Sequence, residues 1–236
     1  MRRFKQIVML QTLFLTIVLS PCISLAQNIP EALIHSGLAE PENHTLVVDR
    51  LMRYHDSGEY EREIREVANV AREYLESHFR NVHKDEKLAA VFDIDETSLS
   101  NWDAMKDCGF CAYSIQAKYS IAHDAAISPV LELFNYAKER GIAAFFVTGR
   151  PETQRQLTVD NLHEVGYSGW TDLYMQPEPP AGTSKPPAHE FKPKNRQAIV
   201  DKGYRIVLSI GDQASDLSGC CAERVFKLPN PFYLIP

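Results

Sequence analysis

With 236 residues, 44% of them hydrophobic and 24% charged, the chain has a globular composition and enough length for one α/β domain around a single large core. A formal net charge of −6 makes a nucleic-acid polymer or an anionic membrane surface an unsuitable partner. An anionic substrate would have to be drawn in locally, by a metal ion or by a few placed cations.

The first segment reads as an export signal. "MRRFKQ" is basic, "IVMLQTLFLTIVL" is apolar, and "SLAQ" offers Ser24 and Ala26 as small residues for cleavage before Gln27. Residues 1–26 are therefore expected to be a signal peptide, and the mature chain to be periplasmic or secreted, without a stable membrane anchor. The apolar run is short for a membrane span and is closely followed by Pro21. Acylation at Cys22 would make a lipoprotein, but Pro21 is a poor neighbour for it. Cleavage removes Arg2, Arg3 and Lys5 and no acid, taking the net charge from −6 to −9. Cys108, Cys111, Cys220 and Cys221 remain, and in an oxidising compartment they are expected to form disulfides, with the pairing open. Their spacing fits no common zinc pattern.

Residues 27–236 are expected to form a single domain, opened by an N-terminal helical extension to about residue 85. Residues 28–57 have weak periodicity and read as a wrap; Asn43-His44-Thr45 is a glycosylation acceptor in a eukaryotic setting. Tyr60, Ile64, Val67, Val70, Ala71, Tyr74 and Leu75 recur at helical steps and predict a helix over 59–79 with an apolar stripe in the core. Glu61 and Arg65 stand at a favourable i,i+4 spacing.

Leu88 to Phe92 predicts a short buried strand. Ser128 as N-cap, Pro129 at the first helical position and Gly141 at the stop bound a second helix. "IAAFFV" (142–147) predicts a second strand, ending at Thr148-Gly149-Arg150, and Pro151 opens a helix to about Val165. "TDLYMQP" offers a third strand. Six prolines in 177–193 predict an extended loop, residues 194–202 a helix, and "YRIVLSI" (204–210) another buried strand ending at Gly211-Asp212. Apolar strands alternating with amphipathic helices predict a parallel sheet covered on both faces. Ligands bind such sheets at the carboxyl ends of the strands.

Three polar clusters follow predicted strands: Asp93-Ile94-Asp95-Glu96-Thr97, Thr148-Gly149-Arg150 and Gly211-Asp212-Gln213. Lys192 and Lys194 precede the last of them. Phosphoryl transfer through an aspartyl-phosphate needs this set. A carboxylate must attack phosphorus beside a dianion, and Mg²⁺ with oxygen ligands makes that electrostatically feasible. Asp93 and Asp212 can hold the metal, while Asp95, two residues on and on the same side of extended backbone, can exchange protons with the leaving oxygen and with water. Thr148 and either Lys192 or Lys194 can bind the equatorial phosphoryl oxygens.

"VFDIDET", "FFVTGR", "FK" at 191–192 and "GDQASDL" resemble, in this order, the four motifs of the haloacid dehalogenase (HAD) superfamily, with separations of 55, 44 and 20 residues between Asp93, Thr148, Lys192 and Asp212. "DIDETSLSN", "GYRIVLSIGDQASDL" and "FKLPNPFYLIP" further resemble subfamily IIIB, the secreted acid phosphatases. That group includes plant acid phosphatases, vegetative storage proteins and, more distantly, bacterial outer-membrane lipoprotein e. The likeness spans roughly residues 45–236. It implies a HAD-like Rossmannoid three-layer sandwich with N-terminal helices and no large cap domain. It also implies Asp93 as nucleophile, Asp95 as acid/base, Thr148 and Lys192 as phosphate binders, and a Mg²⁺ site of Asp93, the Asp95 carbonyl, Asp212 and Asp216. Asn101 and Arg150 match the pattern with no assigned step, and Glu96 is expected to support the loop. An open site implies a broad range of small phosphomonoesters. Trp102, Phe110, Tyr113 and Tyr119 either stack on an aromatic leaving group or simply pack their loop.

A storage or binding protein of the same fold is the alternative reading, and the presence of Asp93, Asp95, Lys192 and Asp212 favours an enzyme over it. A response-regulator receiver also joins aspartates, Thr and Lys on a parallel sheet, but an export signal and Asp-x-Asp-x-Thr argue against it. A dehalogenase does not need Asp95 as an acid for an oxygen leaving group.

Overall fold

A computed structural model describes residues 41–79, 85–110 and 123–235. The expected signal peptide, Cys111, Tyr113 and Tyr119 lie outside the described residues. Chain contacts divide the protein into Met1–Glu42 and Asn43–Pro236, and the second unit carries every element below.

Helix α1 (His44–Asp56) is capped by the Asn43 side chain, which accepts from the Thr45 amide at 2.9 Å. Over residues 44–56 this helix replaces the wrap expected for 28–57, whose first part lies outside the described residues: the helix buries no residue completely, so its periodicity is weak in sequence. Helix α2 (Glu59–His78) follows the expected stripe, with Tyr60, Ile64, Ala68, Ala71 and Leu75 buried. Val70 is the exception, facing solvent at 54% exposure because it falls off the 60-64-68-71-75 line. Glu61 and Arg65 do pair, at 3.1 Å, and Arg65 also reaches Glu132.

The central sheet is parallel, in the order β5 (Asp172–Gln176), β4 (Ala143–Pro151), β1 (Leu88–Phe92), β6 (Arg205–Gly211), β7 (Val225–Lys227). Strand β7 escaped the sequence reading, as did an antiparallel ribbon of β2 (Leu99–Ser100) and β3 (Ala125–Ala126) with the short helix α3 (Trp102–Asp107). The chain winds outward from β1 through β4 to β5, then crosses back to β6 and β7. Strand β1 is therefore flanked by the strands on which the winding reverses, the place where α/β sheets bind ligands.

Side chains of β1 alternate between two cores. Ala89 and Val91 pack with Phe145, Val147, Phe191 and Ile199, whereas Ala90 and Phe92 pack with Phe134, Phe146, Leu208 and Ile210. Helix α4 (Ser128–Glu139) and α2 cover the second face, and α6 (Ala188–Asp201) covers the first. Each buried phenylalanine contributes about 1.5–3 kcal/mol. Between β1 and β4 the described residues form only the ribbon, α3 and α4, with no cap domain.

Three boundaries differ from expectation. Ile127 rather than Ser128 caps α4, placing Pro129 inside the first turn. Pro151 ends β4, and α5 (Arg155–Glu164) begins only after a 3-10 turn over Glu152–Gln154. Helix α6 starts at Ala188, inside the predicted loop, and holds Pro193 within it. The helical stripe Phe191, Lys192, Arg196, Ile199 is buried, and the core packing of Phe191 and Ile199 with the hydrogen bonds of Lys192 and Arg196 holds the helix despite the hydrogen bond Pro193 cannot donate.

Candidate active site

The β1 strand continues one step past its end, where the Asp93 amide donates to Ile210 O at 3.1 Å. The chain then turns tightly. The amides of Thr97, Ser98 and Leu99 all donate to Ile94 O, Ser98 Oγ donates to Asp93 O at 2.6 Å, and Glu96 sits at φ 50. The turn projects Asp93 and Asp95 from one strand end while keeping both nearly inaccessible, at 5% and 8% exposure.

Asp212 arrives from the end of β6. Asp216 follows on a 3-10 turn whose capping box joins the Gln213 and Asp216 side chains to each other's backbone. Gly211 makes this possible: a Cβ there would lie 2.3 Å from Asp216 Cγ. Carboxylate oxygens of Asp93, Asp212 and Asp216 lie within 4.8 Å of one another and are buried. Lys192, on α6, enters the cluster, its Nζ donating to Asp93 Oδ1 at 2.8 Å and to Asp216 Oδ1. Thr97 Oγ1 is 3.4 Å from both Asp93 and Asp212. Lys194 lies exposed on α6.

Asp95 turns elsewhere. Its Oδ1 accepts from Arg150 Nε and NH2 at 3.0 and 2.7 Å and from Asn101 Nδ2 at 3.0 Å. Thr148, fully buried at the β4 end, accepts the Arg150 amide at 3.1 Å, which keeps its O–H proton available as a donor. Glu96 points away from the cluster, accepting from Tyr60 Oη at 2.8 Å and from the Asn101 amide at 2.5 Å, so it supports the loop as expected.

Electrostatics dominate the site. Burial raises the Asp93 and Asp212 carboxyls above the ordinary range, and Asp216 beside them raises them further. Burial opposes the charge on Lys192, but Asp216 and Asp93 outweigh it and hold the ammonium protonated. Among the described residues Lys192 is the one cation that hydrogen-bonds to the clustered carboxylates, reaching Asp93 and Asp216 of the three, so a hard divalent cation fits them: they offer oxygen donors that converge, and its charge would relieve their repulsion.

The sequence reading missed several supporting residues. Asn230 Nδ2 donates to Asp212 Oδ2 at 2.6 Å. Arg196, buried on α6, donates to the carbonyls of Ser215, Asp216, Ser218 and Cys220, fastening the Asp216 turn to the helix that carries Lys192. Asn230 lies in "LPNPF" and Arg196 one turn after Lys192, and both spacings were available as signals. Cys220 and Cys221 are disulfide-bonded to each other, and Cys108 is also disulfide-bonded, which removes a shared zinc site.

Trp102 is 7% exposed, stacks on His55 with ring centroids 3.6 Å apart and touches Phe110 and Phe232. Trp102 and Phe110 thus pack their loop. A cavity of about 630 Å³ lies beside them, lined among the described residues by His55, Trp102, Asp107 and Asp124, but by none of Asp93, Lys192, Asp212 or Asp216. That cavity is not where phosphorus would sit.

The family model of HAD superfamily subfamily IIIB (acid phosphatase) matches residues 36–236. Acid phosphatase 1 of Solanum lycopersicum is 33% identical over 196 residues, 79% of this chain and 74% of that protein. Vegetative storage protein 1 of Arabidopsis thaliana is 34% identical over 62% of this chain and 55% of its own length. The class C acid phosphatase from Bacillus anthracis shares the fold, with a TM-score of 0.64, 22% identity, and coverage of 80% of this chain and 86% of that one. The parallel sheet, the strand-end carboxylates and these likenesses agree: the chain belongs to subfamily IIIB of the HAD superfamily, the acid phosphatases, a family of phosphomonoesterases.

Proposed function

We propose that this protein is an exported, Mg²⁺-dependent acid phosphatase that hydrolyses a broad range of small phosphomonoesters through an aspartyl-phosphate on Asp93. The observation that carries the reading is the meeting of Asp93, Asp212, Asp216 and Lys192 at the ends of β1 and β6 and on α6. Export rests on the basic, apolar and small-residue sequence of the leader. Among the described residues no helix is long and apolar enough to cross a membrane.

In the first step an Asp93 carboxylate oxygen attacks phosphorus. The ester P–O bond breaks, its electron pair goes to the leaving oxygen, and the Asp95 carboxyl supplies the proton that completes the alcohol. In the second step Asp95, now a carboxylate, takes a proton from water. The water oxygen attacks phosphorus, the Asp93–phosphorus bond breaks, and phosphate leaves. Thr148 Oγ and Lys192 Nζ donate to the equatorial oxygens, where transition-state charge accumulates. Asp93, the Asp95 carbonyl, Asp212 and Asp216 would hold Mg²⁺, whose positive charge offsets that of the nucleophile and the phosphoryl oxygens.

The test is release of p-nitrophenol from p-nitrophenyl phosphate at mildly acidic pH, with Mg²⁺, with chelator, and with Asp93→Asn. Metal-dependent turnover that disappears in the variant supports the reading. Folded, metal-loaded protein without turnover would put the storage reading, suggested by the vegetative storage protein relatives, in its place.

A further inference from the structure

Asp124 has no place in the steps above, yet it is built into the site. It is 5% exposed just before β3, and its Oδ2 accepts from Arg150 NH2 at 2.9 Å. The same NH2 donates to Asp95 Oδ1 at 2.7 Å, so one planar guanidinium is shared between two buried carboxylates. Asn161, fully buried on α5, holds Asp124 from behind: its Oδ1 accepts the Asp124 amide at 3.0 Å and its Nδ2 donates to Asp124 O at 2.8 Å.

We propose that Asp124 is a positioning residue which, through Arg150, aims the Asp95 carboxyl at the leaving-group oxygen. The inference rests on the phosphatase reading above and deepens it. Arg150 Nε, Arg150 NH2 and Asn101 Nδ2 all donate to one oxygen of Asp95, its Oδ1. A bridge that served stability alone gains most from the two-oxygen, fork-to-fork geometry. Three donors on one oxygen instead fix the carboxyl's rotation. The guanidinium is rigid, and sharing its NH2 with Asp124 leaves Asp95 little freedom to swing. A misplacement of about 1 Å in a reacting group costs on the order of 10²-fold in rate.

The consequence is selective. Proton delivery matters greatly when an alkoxide leaves and little when p-nitrophenolate leaves, because the latter is stable without a proton. The experiment compares kcat/KM for an alkyl phosphate and for p-nitrophenyl phosphate in wild type, Asp124→Ala and Asp124→Asn, with inhibition by inorganic phosphate and thermal melting alongside. The expected result is a loss on the order of 10²-fold with the alkyl ester and less than about tenfold with the aryl ester in Asp124→Ala, with phosphate inhibition within about twofold of wild type. Asp124→Asn keeps the shape and a carbonyl acceptor for Arg150, and should fall between the two. It also serves as the test if the alanine variant does not fold. Equal losses on both esters, or phosphate affinity lost together with turnover, would overturn the role. Absence of turnover in wild type on either ester would instead remove the phosphatase reading, and this role with it.

Discussion

Lys192 Nζ lies 2.8 Å from Asp93 Oδ1, across 99 residues of sequence, and pairs at the same time with Asp216. The contact favours Lys192 over the other lysine that the sequence left open, since Lys194 is exposed two residues along α6. Replacing Lys192 with alanine leaves Asp93 and Asp216 facing each other unscreened and removes a donor from the phosphoryl oxygens. Its expected kcat loss is about 10²- to 10³-fold, the scale of a lost oxyanion donor. Lys194→Ala should stay within about twofold of wild type. Steady-state kinetics on p-nitrophenyl phosphate checks both, and a large defect in Lys194→Ala with an intact Lys192→Ala would reverse the assignment.

The sheet and the acid cluster were legible because each strand is an apolar run stopped by a polar cluster, and parallel topology forces such ends to one edge. Leu88–Phe92 and Arg205–Gly211 match their expected spans to within a residue. The start of α6 was not legible, because prolines signal a loop locally while the burial of Phe191 and the carbonyl partners of Arg196 that stabilise the helix are tertiary effects. Helix α1 failed for a related reason: with only partly buried residues it has no clean stripe. Asp124 and Asn161 carry no local mark at all, and Asn230 only its place between two prolines. They matter because the fold brings them to Arg150 and Asp212, from 26 residues away in the case of Asp124 and 18 in that of Asn230.

Gly211→Ala should be far more damaging than a one-methyl change suggests. The added carbon would sit 2.3 to 2.4 Å from the Asp216 side chain, so either that carboxylate leaves its capping position or the end of β6 shifts. The Gln213 amide, which donates to Asp216 Oδ2 at 2.9 Å, would lose its partner with the first displacement. Overpacking of this kind costs roughly 1–3 kcal/mol. A lowered melting temperature together with lost turnover is the expected outcome, and wild-type values for both would show that Asp216 is not fixed by this close approach.

Metal addition should stabilise the fold. Three buried carboxylates held within 4.8 Å, two of them pushed upward by burial and by Asp216, share the single charge of Lys192, and a divalent cation would relieve the repulsion that remains. Binding to the folded state alone adds about 2.7 kcal/mol at a hundredfold excess over Kd. Scanning calorimetry should show a higher melting temperature in Mg²⁺ than in chelator, by several degrees, and Asp212→Asn should shrink the difference. An identical melting curve in both conditions would count against a metal at these residues.

Glu96 supplies a pH signature independent of turnover. Burial, with smaller contributions from Asp212 and Asp95, raises its carboxyl from an ordinary 4.5 to about 8, against the lowering effect of the Asn101 amide and Tyr60. A folded-state value above the unfolded one means that the stabilising contribution is complete below about 4.5 and is lost as pH rises through about 8. Glutamine at this position imitates the protonated acid, with its oxygen accepting from the Asn101 amide and its nitrogen donating to Tyr60 Oη. Glu96→Gln should therefore melt close to wild type at the acid end of the window and progressively above it toward the alkaline end, with both proteins measured in chelator. A melting difference that stays flat across the window would mean that Glu96 is ionised in the folded protein throughout, with the Tyr60 and Asn101 bonds holding its charge.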